Sequence, residues 1–151
     1  MFVLAFLLGI YSYIIFLLGI LGLLYKDLVI IFTFLFLFSG LIYFLKTKKN
    51  VIKFPNFKFS NFSKLVIVLI VIQSLINLIG SLGPELSFDA LWYHLTLPKI
   101  YLTDNSIYHI PGIILYYSDM PKLAEMLYIG GLSFGDELIP KMLHFLAGLL
   151  T

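Results

Sequence analysis

The sequence contains no cysteine and no arginine, and only 12% of its 151 residues carry charge. Without Cys, disulfides and thiolate metal sites are excluded, and the redox compartment leaves no mark on the chain. Without Arg, the chain lacks the side chain that grips phosphates in a planar fork, which argues against nucleic acid as a partner. Charge is scarce because apolar residues are abundant. They make up 61% of the chain, and the mean hydropathy of +1.04 lies far outside the range of soluble domains. Such a composition belongs in a lipid bilayer.

Residues 2–25, 28–45 and 65–82 contain no Asp, Glu or Lys. A helix needs about 20 apolar residues to cross a hydrocarbon core, or about 17 at the short end, so each run is a candidate span. The first run lacks a basic leader and a small-residue cleavage site, and its apolar stretch is too long for a signal peptide. A fourth apolar run begins near Ile139 and continues to Thr151. Since a helix that enters the membrane must cross it to satisfy its backbone, the chain reads as a fragment of a longer polytopic protein. The expected fold is therefore all-α: three complete transmembrane helices and the start of a fourth.

Lys46, Lys48, Lys49, Lys53, Lys58 and Lys64 crowd the stretch between the second and third runs, with no acid among them. The positive-inside rule makes residues 46–64 a cytoplasmic loop. The N-terminus is then cytoplasmic, residues 1–45 form a hairpin with Lys26-Asp27 as its external turn, and the third helix (65–82) leads outward. Seven of the eight acids (Glu85, Asp89, Asp104, Asp119, Glu125, Asp136 and Glu137) fall outside, between residues 83 and 137. The expected location is a plasma or inner membrane, crossed several times. The lysines read as a topology determinant touching anionic headgroups, and Phe54, Phe57, Phe59 and Phe62 suit a segment resting in the interface. Gln73, Ser74 and Asn77 in the third helix are expected to face other helices.

The external segment 83–136 is too long for a simple connector and too apolar for disorder. Gly83-Pro84 ends the third helix, and Ser87 is a fair cap for a short helix over 87–97 that Pro98 breaks or kinks. After a turn at Pro111-Gly112, Ser118 can cap a second helix over 118–129, with Pro121 in its first turn and Gly130-Gly131 loosening its end. Both are expected to lie along the membrane as interfacial helices. Asp136-Glu137 then favours the N-terminus of the fourth span, residues 137–151.

Within this segment "FDALWYHLTLPKIYL" gathers an acid, the only Trp, a Tyr and a His. Together with "IYHIPG", "YYSDMPKLAEMLYIGGLSFG" and "IPKMLHFLAGLLT", it resembles the first external loop and following helix of polytopic glycosyltransferases of the GT-C superfamily. The nearest branch is that of protein O-mannosyltransferases and lipopolysaccharide-core glycosyltransferases, with an Asp-aromatic-His pattern followed by Pro-x-x-x-Glu-x-Leu-Tyr. The likeness covers residues 83–151 and leaves out the first two helices. It implies transfer of a sugar from a polyprenyl-phosphate carrier to an acceptor on the external face. It also implies that Asp89 is the catalytic acid residue, assisted by Glu125 of the Pro121-Lys-Leu-Ala-Glu125 pattern, with Asp119 next. The later helices that hold the lipid carrier in such enzymes are missing here.

The chemistry is sensible on its own terms. A sugar on a lipid phosphate already has a good leaving group, so the site needs a base for the acceptor hydroxyl and a cation for the departing phosphate. Asp89, expected to be partly buried at the interface, suits the base. Lys99 and Lys122 are the cations of the loop, though each is also what a snorkelling surface lysine looks like. Trp92, Tyr93 and His94 suit sugar contacts, while Trp and Tyr equally suit the interfacial belt. Asp89 near a helix start and Glu125 on an exposed helix face are also ordinary placements. His94, His109 and His144 lack metal-ligand spacing with one another, and a divalent cation at Asp89 and Glu125 is compatible with carboxylate chemistry but called for by no motif. The rival class is a non-enzymatic membrane protein, either a transporter fragment or a small assembly factor whose external loop binds a partner. A transporter should carry ionisable or Gly/Pro-broken segments in mid-membrane, and the three complete runs carry no charge.

Overall fold

The computed structural model describes residues 2–47, 59–112, 114–120 and 122–150. Among these there are helices and turns and no strand. Three helices, α1 (Phe2–Ile20), α2 (Lys26–Thr47) and α3 (Asn61–Leu82), are long and apolar enough to cross a membrane. Their runs of Leu, Ile and Phe satisfy the backbone within each helix and leave large apolar side chains such as Phe6, Phe38 and Ile79 exposed on the outer faces. Lys48, Lys49, Lys53, Lys58, Phe54 and Phe57 of the basic segment lie outside the described residues.

The span boundaries differ from the sequence expectation for local reasons. α1 stops at Ile20 because Gly22, at φ +70°, makes a left-handed cap: Leu23 N donates to Leu18 O at 2.8 Å and Gly22 N to Gly19 O at 3.1 Å. Lys26 and Asp27 consequently open α2 instead of forming the turn. At the other end, Ser60 caps α3 by accepting from Ser63 N at 3.1 Å, which draws Lys64 into the first helical turn.

After α3 the chain forms a π turn at Ala90–His94, runs on as α4 (Thr96–Thr103), and makes a 3₁₀ turn at Tyr116–Asp119 before α5 (Leu123–Leu132) and α6 (Leu138–Leu150). Pro98 does not break the helix expected over 87–97. The π turn, closed by Leu95 N to Ala90 O at 2.9 Å, ends one helical ladder, and Pro98 falls in the first turn of the next, where its missing N–H costs nothing. Ser87 and Ser118 are not the caps that the sequence suggests. Glu85 Oε1 accepts from Ser87 N at 2.8 Å, while Ser118 Oγ accepts from Ile110 N at 3.2 Å.

The core joins α1, α2, α4 and α5 through Tyr11, Ile15, Leu24, Val29, Leu97, Tyr101, Met126 and Ile129. α5 packs against α1. Gly130 and Gly131 are the reason. A Cβ on Gly130 would stand 2.1 Å from the Tyr11 hydroxyl, and one on Gly131 would stand 2.9 Å from Pro140 Cδ. The pair permits close approach on both sides instead of loosening the helix end. α6 runs beside α3, with Ser81 Oγ donating to Met142 Sδ at 3.4 Å and Lys141 Nζ donating to Gly83 O.

The α1–α2 turn is bonded to the segment after α4. Leu24 N donates to Asn105 O at 3.0 Å, Ile107 N to Gly19 O at 2.9 Å, and Ser106 Oγ to Gly19 O at 3.2 Å. Residues 105–107 therefore share one end of the bundle with that turn.

Candidate functional site

The π turn decides which side chains meet. In an α-helix, residues five apart point roughly 140° away from each other. A π turn stacks i over i+5. Asp89 and His94 are five apart, and both line one cavity of about 1280 Å³ between α3, the π turn, α5 and α6. Asp89 is exposed to this space, contrary to the partial burial expected of it.

His94 in turn carries Glu125. Its Nδ1 lies 2.7 Å from Glu125 Oε1, and the Glu125 side chain is 7% exposed against 37% for His94. An ionised carboxylate can only accept, so Nδ1 bears the hydrogen and Nε2 is left for the cavity. A buried carboxylate without a partner would be costly, so the pair is structural as well as chemical. Asp89 thus faces the cavity directly, and Glu125 reaches it through His94.

The other candidate residues stand elsewhere. Asp119 bonds His109 Nδ1 at 2.7 Å on the surface, both side chains more than half exposed, and does not join Asp89. Trp92 donates Nε1 to Ile114 O at 2.9 Å, with its ring 4.6 Å from Phe88. Tyr93 stacks on Tyr117 at 4.2 Å and lies 4.1 Å from the His94 ring, so it backs His94, but neither Tyr93 nor Trp92 forms part of the cavity wall. Neither loop lysine reaches that wall. Lys99 pairs with Glu137, while Lys122 donates to the Tyr101 hydroxyl at 2.7 Å with Nζ 4.8 Å from the ring centre. Burial there lowers the Lys122 pKa below its ordinary value and pushes the Tyr101 hydroxyl up to about 12.

Sequence reasoning missed the contribution of α6. Lys141 and His144, one turn apart, line the cavity opposite Gln73, Ser74 and Asn77 of α3. Gln73 donates to Asn77 Oδ1 at 3.0 Å, and the Tyr128 hydroxyl lies 3.2 Å from His144 Nδ1. The i, i+3 spacing of Lys141 and His144 on an apolar helix was the available signal. Among the described residues no cluster of three or more His, Asp or Glu is arranged to hold a metal ion.

Three helices of membrane-spanning length, with an acid-imidazole array against the end of α3, describe an all-helical protein built for a bilayer. No family model, curated protein or solved structure matches the chain.

Proposed function

We propose that this chain carries the acid-bearing external loop of an integral membrane glycosyltransferase of the GT-C type. The enzyme moves a sugar from a polyprenyl-phosphate carrier to an acceptor at the outer face of a plasma or inner membrane. The observation that carries the reading is the convergence of Asp89 and His94 on one cavity wall, with His94 held by buried Glu125. The resemblance of residues 83–151 names Asp89 as the catalytic group, and its exposure to the cavity suits a base that takes the acceptor hydroxyl's proton. His94, held in place by Glu125, presents its ring to the same cavity, where a departing phosphate would lie. The apolar side chains Ile70, Ile76 and Leu149 along the same cavity suit a prenyl chain. The bonds between the α1–α2 turn and residues 105–107 support a common side for both, as the lysine bias requires.

The test uses the full-length protein in membranes, supplied with radiolabelled undecaprenyl-phosphate and dolichyl-phosphate sugars. Asp89→Asn should lower transfer by about 10²–10⁴ while the protein stays inserted and folded. Glu125→Gln should cost less, because it acts through His94, and Asp119→Asn should cost little. Full activity in Asp89→Asn and Glu125→Gln together would leave the enzyme reading without residues to carry it.

A further inference from the structure

Six of the ten lysines lie in the 46–64 segment. Of the remaining four, Lys26, Lys99 and Lys141 line a second cavity of about 900 Å³, although they come from α2, α4 and α6. Like charges repel, so bringing three lysines to one space needs compensation. Some of it is internal: Glu137 pairs with Lys99, and Lys141 donates to Gly83 O. Asp136, the other acid on this wall, is engaged at the start of α6, where its Oδ1 accepts from Leu138 N at 2.9 Å. Lys26 is exposed and has no ion pair among the described residues. The space is left with excess positive charge.

Its position and lining say what would neutralise that charge. The cavity sits where α2 begins and α3 ends at Leu82-Gly83-Pro84, the level at which two spans leave the apolar layer. Leu102, Leu132 and Leu138 line it together with the lysines. Cations at headgroup depth above leucines match a phosphate joined to an acyl chain. We propose that this cavity binds the phosphate of an anionic membrane phospholipid, with Lys26 and Lys141 on the phosphate oxygens and the leucines against the first methylenes. The lipid would tie the N-terminal hairpin to α4 and α6. The proposal does not depend on sugar transfer. Inorganic phosphate shares the charge chemistry but leaves the leucines uncovered.

The test compares the full chain in nanodiscs of phosphatidylcholine alone with nanodiscs containing one part phosphatidylglycerol in four, reading the unfolding midpoint and the lipid retained in native mass spectrometry. Phosphatidylglycerol should raise the midpoint and be retained. Lys26→Gln, which breaks no ion pair, should reduce retention about fivefold, and Lys26→Gln with Lys141→Gln about 25-fold, taking about fivefold per lysine near a charged headgroup. Lys122→Gln, whose amine lies on the Tyr101 hydroxyl and outside this cavity, should retain the lipid as before. Unchanged retention in both Lys26 variants, or an equal loss in Lys122→Gln, would overturn the proposal. A rise in midpoint with inorganic phosphate equal to that with phosphatidylglycerol would overturn the lipid assignment in favour of a free anion.

Discussion

Gly130→Ala tests the contact that holds α5, and with it Glu125, in place. The added Cβ would stand 2.1 Å from the Tyr11 hydroxyl oxygen, 3.1 Å from Cζ and 3.3 Å from Cε1. Tyr11 cannot easily give way. Its ring lies 5.0 Å from Phe36 and 5.9 Å from Phe32, and its hydroxyl bonds Thr33 Oγ1 at 2.7 Å. Since Thr33 donates its own hydrogen to Val29 O, Tyr11 must be the donor in that bond. Overpacking of this kind costs about 1–3 kcal/mol, partly offset by about 0.5–1 kcal/mol from replacing a helical Gly with Ala. A net loss of up to about 2.5 kcal/mol is expected. Tyr11→Phe should cost about 1 kcal/mol for the lost hydrogen bond. The double variant removes the atom at 2.1 Å, so its loss should fall below the sum of the two singles by about 1 kcal/mol. Unfolding midpoints of the four proteins in one detergent measure the cycle. Strict additivity would mean that α5 does not lie on α1.

Alkaline unfolding should show the Tyr101 shift. Between its ordinary value of 10.0 and about 12 the unfolded chain loses a proton that the folded chain keeps, so stability falls with pH across that window, and Tyr101→Phe should flatten the fall. Lys122 works in the opposite sense. Burial lowers its folded pKa, so its cost is present at neutral pH and is relieved as pH rises toward 10.5, and Lys122→Met should abolish that gain. Because the chain has no cysteine, a Cys at exposed Asp104 should react with an impermeant maleimide from outside and one at exposed Asn61 only from inside; the reverse pattern would overturn the orientation.

The spans were legible because a continuous apolar run needs no partner to be recognised, and Asp136 was legible as a helix-start acid for the same local reason. Features that depend on two distant elements were not. Gly130-Gly131 reads locally as a weak helix end, and only Tyr11 and Pro140 reveal why small residues are needed there. Pro98 signalled a discontinuity correctly, but the π turn that supplies it carries no propensity signal of its own. His94 and Glu125 belong to separate motifs, and their pairing arises from the packing of α5 beside the π turn. The same holds for Lys99 and Lys122, whose carboxylate and phenol partners no spacing rule pointed to.

The three bonds from Gly19 and Leu24 to residues 105–107 bear on how the protein is made. The hairpin leaves the ribosome long before its partners, so its turn waits at the membrane face with a carbonyl and an amide that only water can serve. When the later segment emerges, that turn offers residues 105–107 their bonding partners. The two helices outside the glycosyltransferase resemblance are thus more than anchors. They supply three bonds that position residues 105–107, and a chain without them would leave those groups to find other partners.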